Sequence, residues 1–379
     1  MVPPARGCGR RLRRLLTPLV TAAATTPGAD RYRKSFPAHA HLWILLRHVL
    51  TGGDSLRQTH AALAVDDAEL MRLGLPQGIS RSQLARSSTS RPAACAEVLF
   101  AAIVQLARRH APTDPAWRRL TKVQAVDRTL LSLSLQRSPG SRHGGHAPGV
   151  RIQTGLDRAG VIPRDLRLTL ADVHDRRALA ERDLTDLAGW TLLIDLGYYA
   201  HKLFARLRAA QVSFVCRLHA PATYRVTATH PLDPTPTADG DVIVADETIT
   251  LGRPNHRKGA VLPQMRLVTS RNAAGTEHRF VTDRHDLTAA TVVALFRKRW
   301  QIELCCRWLK DHLKALHPFG PSREAVWRTV LICAIVAILA MLAAPDRPTG
   351  ESPIAWLRGV GTALLAADPV GTLPPLDSS

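Results

Sequence analysis

Between Lys122 and His219 the chain changes its residue period several times, and the order of those changes restricts its folds more than any other feature. "KVQAVD" and "LLSLSL" predict two short strands joined by a tight turn at Arg128 and Thr129, and "VRIQTGLD" and "DLRLTLAD" predict two more. "HDRRALAERDL" then predicts a helix with Asp175 as its cap. "WTLLIDLGYY" predicts a buried strand that ends on an acid, followed by a helix in "AHKLFARLRAA" and a strand in "VSFVCRLH". Hairpins first and strand–helix alternation afterwards predict a mixed α/β sheet.

The flanking regions have a different texture. Residues 1–120 are helical in pattern: "HLWILLRHVL", "SLRQTHAALA" and "CAEVLFAAIVQLARR" carry apolar stripes at three- and four-residue spacing, with Ser55 and Ser82 as candidate N-caps. Residues 121–220 hold the first part of the α/β core. Residues 221–285 read as a β-rich insertion of short strands, "TYRVTA", "DVIVAD", "TITLG", "QMRLVTS" and "HRFVTD", parted by Pro, Gly and Asp. Residues 286–345 return to helix, and 346–379 form a Pro/Gly-rich tail with one weak helical piece, "PIAWLRGV".

Lys and Arg number 51 against 31 Asp and Glu, a net charge of +20, which favours a polyanionic partner over a small neutral substrate. The six cysteines show no CxxC pairing, so neither a disulfide framework nor a zinc knuckle is suggested and a reducing cytoplasm fits. "RRLRRLLTPLVTAAATT" has the order of an export signal, but its apolar part is short and broken by Pro18. "VLICAIVAILAMLAA", from Val330 to Ala344, is uncharged but short for a membrane span, and is read as a buried core helix.

Three acids stand out. Asp127 ends "KVQAVD" and Asp195 ends "TLLID", both at strand ends where α/β proteins commonly build their sites; a lone acid there is more often a turn or cap residue. The third lies in "LFRKRWQIELCCRWLKDHLKAL", Leu295 to Leu316, which reads as one helix. On a helical wheel Phe296, Arg299, Glu303, Lys310 and Lys314 share a face with Arg307 beside them, while Leu295, Ile302, Cys306, Leu309 and Leu313 form an apolar stripe. Glu303 is therefore either one member of an Arg299–Glu303–Arg307 ion-pair ladder or, with Asp127 and Asp195, an oxygen ligand for a hard cation such as Mg²⁺. Spacing leaves both open.

The same helix resembles the insertion-sequence-four family of DDE transposases, whose signature is Tyr, two residues, Arg, three residues, Glu, six residues, Lys. Here it is Phe296, Arg299, Glu303 and Lys310, with Phe replacing Tyr. "VDRT" (Val126–Thr129) is similar to the family's first-acid motif and "LIDLGYY" (Leu193–Tyr199) to its second, with Leu196 where many relatives have Arg. The likeness runs from about residue 40 to 340.

The resemblance implies an RNase H-like catalytic core with a β-rich insertion and an all-helical N-terminal region that binds DNA. It also implies a Mg²⁺-dependent transposase that cuts an insertion sequence at its ends and joins the 3′ ends to target DNA. Asp127, Asp195 and Glu303 would hold two Mg²⁺ ions, with Mn²⁺ able to substitute, and Arg299, Lys310, Phe296 and Arg307 would contact DNA. The partners implied are double-stranded terminal inverted repeats and target DNA, no membrane, and a dimer on DNA in the cytoplasm, at the nucleoid. The rival readings are a catalytically degenerate or domesticated DNA-binding protein and an RNase H-like nuclease without strand transfer. Weaker features are Trp300, read as a core or interface aromatic, the histidines His143 and His146 in a Gly-rich loop, the basic turn "GRPNHRKG" and the N-terminal "RRLRR".

Overall fold

A computed structural model describes residues 4–31, 35–110, 122–132, 149–157, 162–170, 179, 182–233, 235–253, 260–300, 303, 307 and 318–366, with the backbone alone for most of the first three strands. The chain divides into two units, each continuous in space but not in sequence: Met1–Pro112, Ser132–Pro148 and Cys306–Ser379 form one, Thr113–Leu131 and Gly149–Cys305 the other.

The first unit is helical. Its members are α1 (Pro4–Ala24), α2 (Ala38–Leu50), α3 (Leu56–Leu63), α4 (Asp67–Arg72), α5 (Arg81–Ser90), α6 (Ala94–His110), α9 (Arg323–Ala343) and α10 (Pro353–Ala366). Ser55 caps α3, accepting from Gln58 N–H at 3.2 Å. Of the two expected caps the second is displaced: α5 starts at Ser80, where Ser80 and Gln83 form a reciprocal capping box, and Ser82 lies inside the helix. The apolar stretch from Val330 is part of α9, which is long and apolar enough to cross a membrane, yet 72% of that span is buried within the protein. Its interior Arg328 is 1% exposed and donates to the carbonyls of Ser88 (2.7 Å) and Arg91 at the end of α5.

The second unit is built on a nine-stranded sheet, in the order β3-β2-β1-β4-β5-β9-β8-β7-β6. The strands are β1 (Val123–Ser132), β2 (Gly149–Asp157), β3 (Ile162–Leu170), β4 (Thr191–Ile194), β5 (Ser213–Arg217), β6 (Tyr224–Thr229), β7 (Val242–Leu251), β8 (Leu262–Arg271) and β9 (Glu277–Thr282). Strand β4 runs parallel to both β1 and β5, and the pairs β2–β3, β5–β9, β9–β8, β8–β7 and β7–β6 are antiparallel. The crossover between β4 and β5 contains α7 (His201–Ala209), whose Leu203, Phe204 and Leu207 are buried against the sheet; the Phe204 and Phe214 rings stack at 4.2 Å. The last helix of the unit, α8 (Ala289–Lys298), is capped by Thr288 accepting from Thr291 N–H.

Three local expectations change. The turn expected at Arg128 and Thr129 is absent, and β1 runs straight through to Ser132; neither residue has the positive-φ tolerance or fixed φ that makes a turn, and β-branched Thr favours a strand. "DVIVAD" and "TITLG" form one strand, β7, because Asp246 at their junction is 4% exposed and neutralised by Arg266 from β8 rather than turned to water. The helix read as continuous from Leu295 is interrupted: α8 ends at Lys298, Arg299 is its C-cap in a turn, and helical geometry resumes at Trp300, with Glu303 and Arg307 also helical. Lys310 and the loop with His143 and His146 lie outside the described residues, as do most of "GRPNHRKG" and of "HDRRALAERDL", in which Leu179 is helical and buried and residues 182–184 are not helical.

Candidate active site

Register places the first two acids. In the parallel β1–β4 pair the register runs as far as Ala125 beside Leu193, two residues before Asp127 and Asp195, so both acids follow the same end of the paired segment. Neighbouring strands lie about 4.8 Å apart. The side chain of Asp127 lies outside the described set.

Asp195 directly follows β4 at the N-cap position of a 3₁₀ turn, Leu196–Tyr198, but its side chain makes no capping hydrogen bond. Its carboxylate is therefore not consumed by the local turn. With 45% of the side chain exposed, it lies 4.0 Å from Nη2 of Arg299. The same Nη2 donates to Oε1 of Glu303 at 2.7 Å, and the Glu303 side chain is 28% exposed. One guanidinium thus bridges two carboxylates brought from distant parts of the chain.

Arg299 is unusually enclosed for a surface-helix arginine. Its side chain is 10% exposed, its Nε is buried with no hydrogen-bond partner among the described residues, and its guanidinium carbon sits 5.5 Å from the centre of the Phe296 ring. Phe296 is itself 9% exposed and packs on Phe280 of β9, ring centres 5.0 Å apart. The ring expected to reach DNA is thus turned inward, where it forms the floor under Arg299. Arg307 is helical and exposed, and Leu196 and Trp300 are 36% and 49% exposed, so Trp300 is not a core aromatic.

The neighbourhood is fixed from behind. Thr282 at the end of β9 donates to the Phe214 carbonyl at 2.6 Å, and Arg284 donates to the Thr191 hydroxyl at the start of β4. Cys216 on β5 directs its thiol toward the Asp195 carbonyl at 3.7 Å; burial pushes that thiol well above its ordinary range and keeps it protonated. Burial likewise raises the Tyr199 phenol, whose ring packs against His219 (5.5 Å between centres) and whose hydroxyl lies 3.5 Å from His201 Nε2. Among the described residues no three His, Cys, Asp or Glu side chains form a group that could hold a metal ion. Phe280, Asp241 and Asp246 support this site and carried no local signal in the sequence: each acts only through a partner that the fold brings to it.

The segment β3-β2-β1-β4-β5, with β1, β4 and β5 parallel, defines an RNase H-like core, and the remaining four strands extend the same sheet beyond β5. Comparison with known proteins gives the family. The family described as the transposase DDE domain matches residues 118–339, and the chain belongs to it: it is a DDE transposase, of a family of DNA-cleaving and DNA-transferring enzymes. It is 28% identical to a putative transposase (y4zB) of Sinorhizobium fredii (strain NBRC 101917 / NGR234) over 265 residues, 69% of this chain and 71% of that one. To the probable transposase for insertion sequence element IS5377 of Geobacillus stearothermophilus it is 23% identical over 310 residues, covering 77% and 78%. Among solved structures, piggyBac transposase in a synaptic complex with hairpin DNA aligns with a TM-score of 0.46 and 6% identity, over 97% of this chain and 80% of its own.

Proposed function

We propose that this chain is the transposase of a bacterial insertion sequence of the insertion-sequence-four type. It would cut double-stranded DNA at terminal inverted repeats and join the 3′ ends to target DNA, with Asp127, Asp195 and Glu303 as its catalytic acids. The observation that carries this reading is the convergence of Asp195 and Glu303 on one cation, with Asp127 on the adjacent strand two residues beyond its last paired position.

The donor set suits a hard dication. It consists of carboxylates only, Asp195 is unspent by its turn, and two of the acids already share one positive group. Asp127, Asp195 and Glu303 would hold Mg²⁺, two ions by the family's pattern with Mn²⁺ as a substitute, which when bound lowers the pKa of water and offsets charge on the leaving oxygen.

The protein's own groups bind and orient. Hydrolysis of the phosphodiester at the element's end frees a 3′-OH, and that hydroxyl then displaces a 3′ oxygen in the target strand, so no covalent protein intermediate is needed. Arg299, held over Phe296, would offer its guanidinium to a phosphate beside the scissile bond, with Lys310 and Arg307 as further phosphate contacts. Two ends must be joined together, so a dimer on DNA in the cytoplasm, at the nucleoid, is the expected assembly. No membrane partner is expected, and α9, the one described helix that alone is long and apolar enough to cross a bilayer, is largely buried.

The test is cleavage of the cognate inverted repeat with Mg²⁺ by wild type and by Asp127→Ala, Asp195→Ala and Glu303→Gln, followed by addition of target DNA. Wild type should cut and then give joined products, and EDTA should stop both. Full cleavage by any of the three variants would overturn the assignment, while cutting without joining would make the protein a nuclease.

A further inference from the structure

The strongest charged surface outside the site lies on α1. This helix contains no acid, and Arg6, Arg10 and Arg14 recur every four residues along one exposed face. None of the three has a hydrogen-bond or ion-pair partner among the described residues. The other arginines of the helix are committed: Arg11 pairs with Asp346 at 2.7 Å, and buried Arg13 lies 3.9 Å over the Trp43 ring. Beside the free face runs an open groove of ≈ 500 Å³ lined by Gly7, Arg10, Arg11, Arg14 and Leu15, and Gly7 has no atom near where a side chain would stand.

This arrangement works against the helix itself. Like charges at four-residue spacing repel, costing about 0.2–0.5 kcal/mol per pair. Arg6 also stands in the first turn, at the positive end of the helix dipole. A polyanionic ligand offsets both costs. The rise of about 6 Å per four residues spreads the three guanidinium groups over about 12 Å, enough to meet three phosphates of one strand. A lipid surface fits less well, because the apolar side of α1 (Cys8, Leu12, Leu16, Val20) is already buried in the protein and cannot insert.

We propose that the Arg6–Arg10–Arg14 face of α1 is a sequence-independent docking surface for the backbone of duplex DNA, separate from the catalytic acids. The proposal rests on the reading of the protein as a DNA transposase and names a contact which that reading does not require. Its test is a salt titration of full-length protein on a fluorescent duplex of arbitrary sequence, with EDTA present to prevent chemistry. Three proteins are compared: wild type, Arg6→Gln/Arg10→Gln/Arg14→Gln, and the matching triple Lys variant.

The Gln variant should bind about tenfold or more weakly at low salt, and its slope of log affinity against log salt should be shallower by about 2 to 3. The Lys variant should keep the wild-type slope, and the Gln variant should melt no lower than wild type because only repulsion is removed. Should the triple variant fold poorly, Arg10→Gln alone should reduce the slope by about 1. A Gln variant that folds and keeps the full slope overturns this surface while leaving the transposase reading intact. Absence of salt-dependent duplex binding by wild type overturns both. Loss of binding to phosphatidylserine vesicles with duplex binding unchanged would reassign the face to lipid and overturn the proposal.

Discussion

Asp246→Ala should be among the most damaging single substitutions in the sheet unit outside its acids. Arg266 and Asp246, on adjacent strands β8 and β7, have side chains only 7% and 6% exposed and meet in a two-pronged contact, Nε to Oδ1 at 2.8 Å and Nη2 to Oδ2 at 2.6 Å. The third nitrogen, Nη1, donates to the carbonyls of Arg284 (3.1 Å) and Leu287, in the turn that leads into α8. Removing the carboxylate leaves a guanidinium buried without a countercharge, a loss of about 3–5 kcal/mol. That is about two to nearly four orders of magnitude in the folding equilibrium, a large part of a typical domain's stability.

The double replacement Asp246→Leu/Arg266→Met removes the charge problem and should recover much of that loss. It leaves the Arg284 and Leu287 carbonyls without their donor, at about 1–3 kcal/mol each. Stability and activity should therefore separate: the double variant folds, yet the turn ahead of α8 is loosened and DNA cleavage falls more than stability does. Urea denaturation followed by circular dichroism, with amide exchange resolved on β7 and β8, measures the first quantity, and cleavage of the inverted repeat measures the second. A cost below about 1 kcal/mol for Asp246→Ala would refute the buried-pair argument. Full cleavage by the double variant would refute the link to α8.

Two further outcomes follow from close packing and from burial. Gly9→Val should destabilise the helical unit by about 1–3 kcal/mol, because a Cβ at Gly9 would stand 2.7 Å from both Ala363 Cβ and Leu364 N of α10; a melting temperature equal to wild type would mean that α10 does not dock there. Burial pushes the Asp283 carboxyl above its ordinary 3.8, against the opposing pull of the Phe214 N–H that it accepts at 3.1 Å. A raised native pKa means that its contribution is complete below 3.8 and is lost as pH rises through the raised value. Asp283→Asn should hence melt higher than wild type at pH 7, with the gap closing as pH falls toward 3.8, and a gap independent of pH would contradict that sign.

Much of the second unit was legible because its signals are local. Alternating or continuous apolar runs mark β2 to β5, and the spacing of Arg299 and Glu303 by four residues already puts them in contact on a helix. What was not legible depends on partners far along the chain. Asp246 resembles a turn residue until Arg266 is beside it, and Phe296 resembles a surface ring until Phe280 covers it. Nothing in residues 221–285 indicates that their strands join the core sheet, since that depends on β9 returning to pair with the open side of β5. The break at Arg299 also lacks a local marker: no Gly or Pro stands there, and its φ of −55° and ψ of −33° are helical values.

The excess of positive charge is therefore not a count of groups that face a ligand. Arg91 and Arg328 are 1% exposed and donate to backbone carbonyls, Arg266 joins two strands to a turn, and Arg297 is tied to Asp241, itself 1% exposed. In each case the planar fork of donors ties together backbone or carboxylate groups that would otherwise be unpaired, a task for which a lysine is poorly shaped. Their guanidinium groups are engaged by the protein itself and are not offered to a ligand. Arg6, Arg10 and Arg14 are the opposite case, placed where they repel one another and pair with nothing among the described residues. Arg299 stands between the two classes. It is enclosed and paired like a structural arginine, but its partners are two partly exposed carboxylates at the edge of the sheet. An arginine needed only for stability would gain more from a buried carboxylate and carbonyls, such as Arg266 holds, than from two acids that water also solvates.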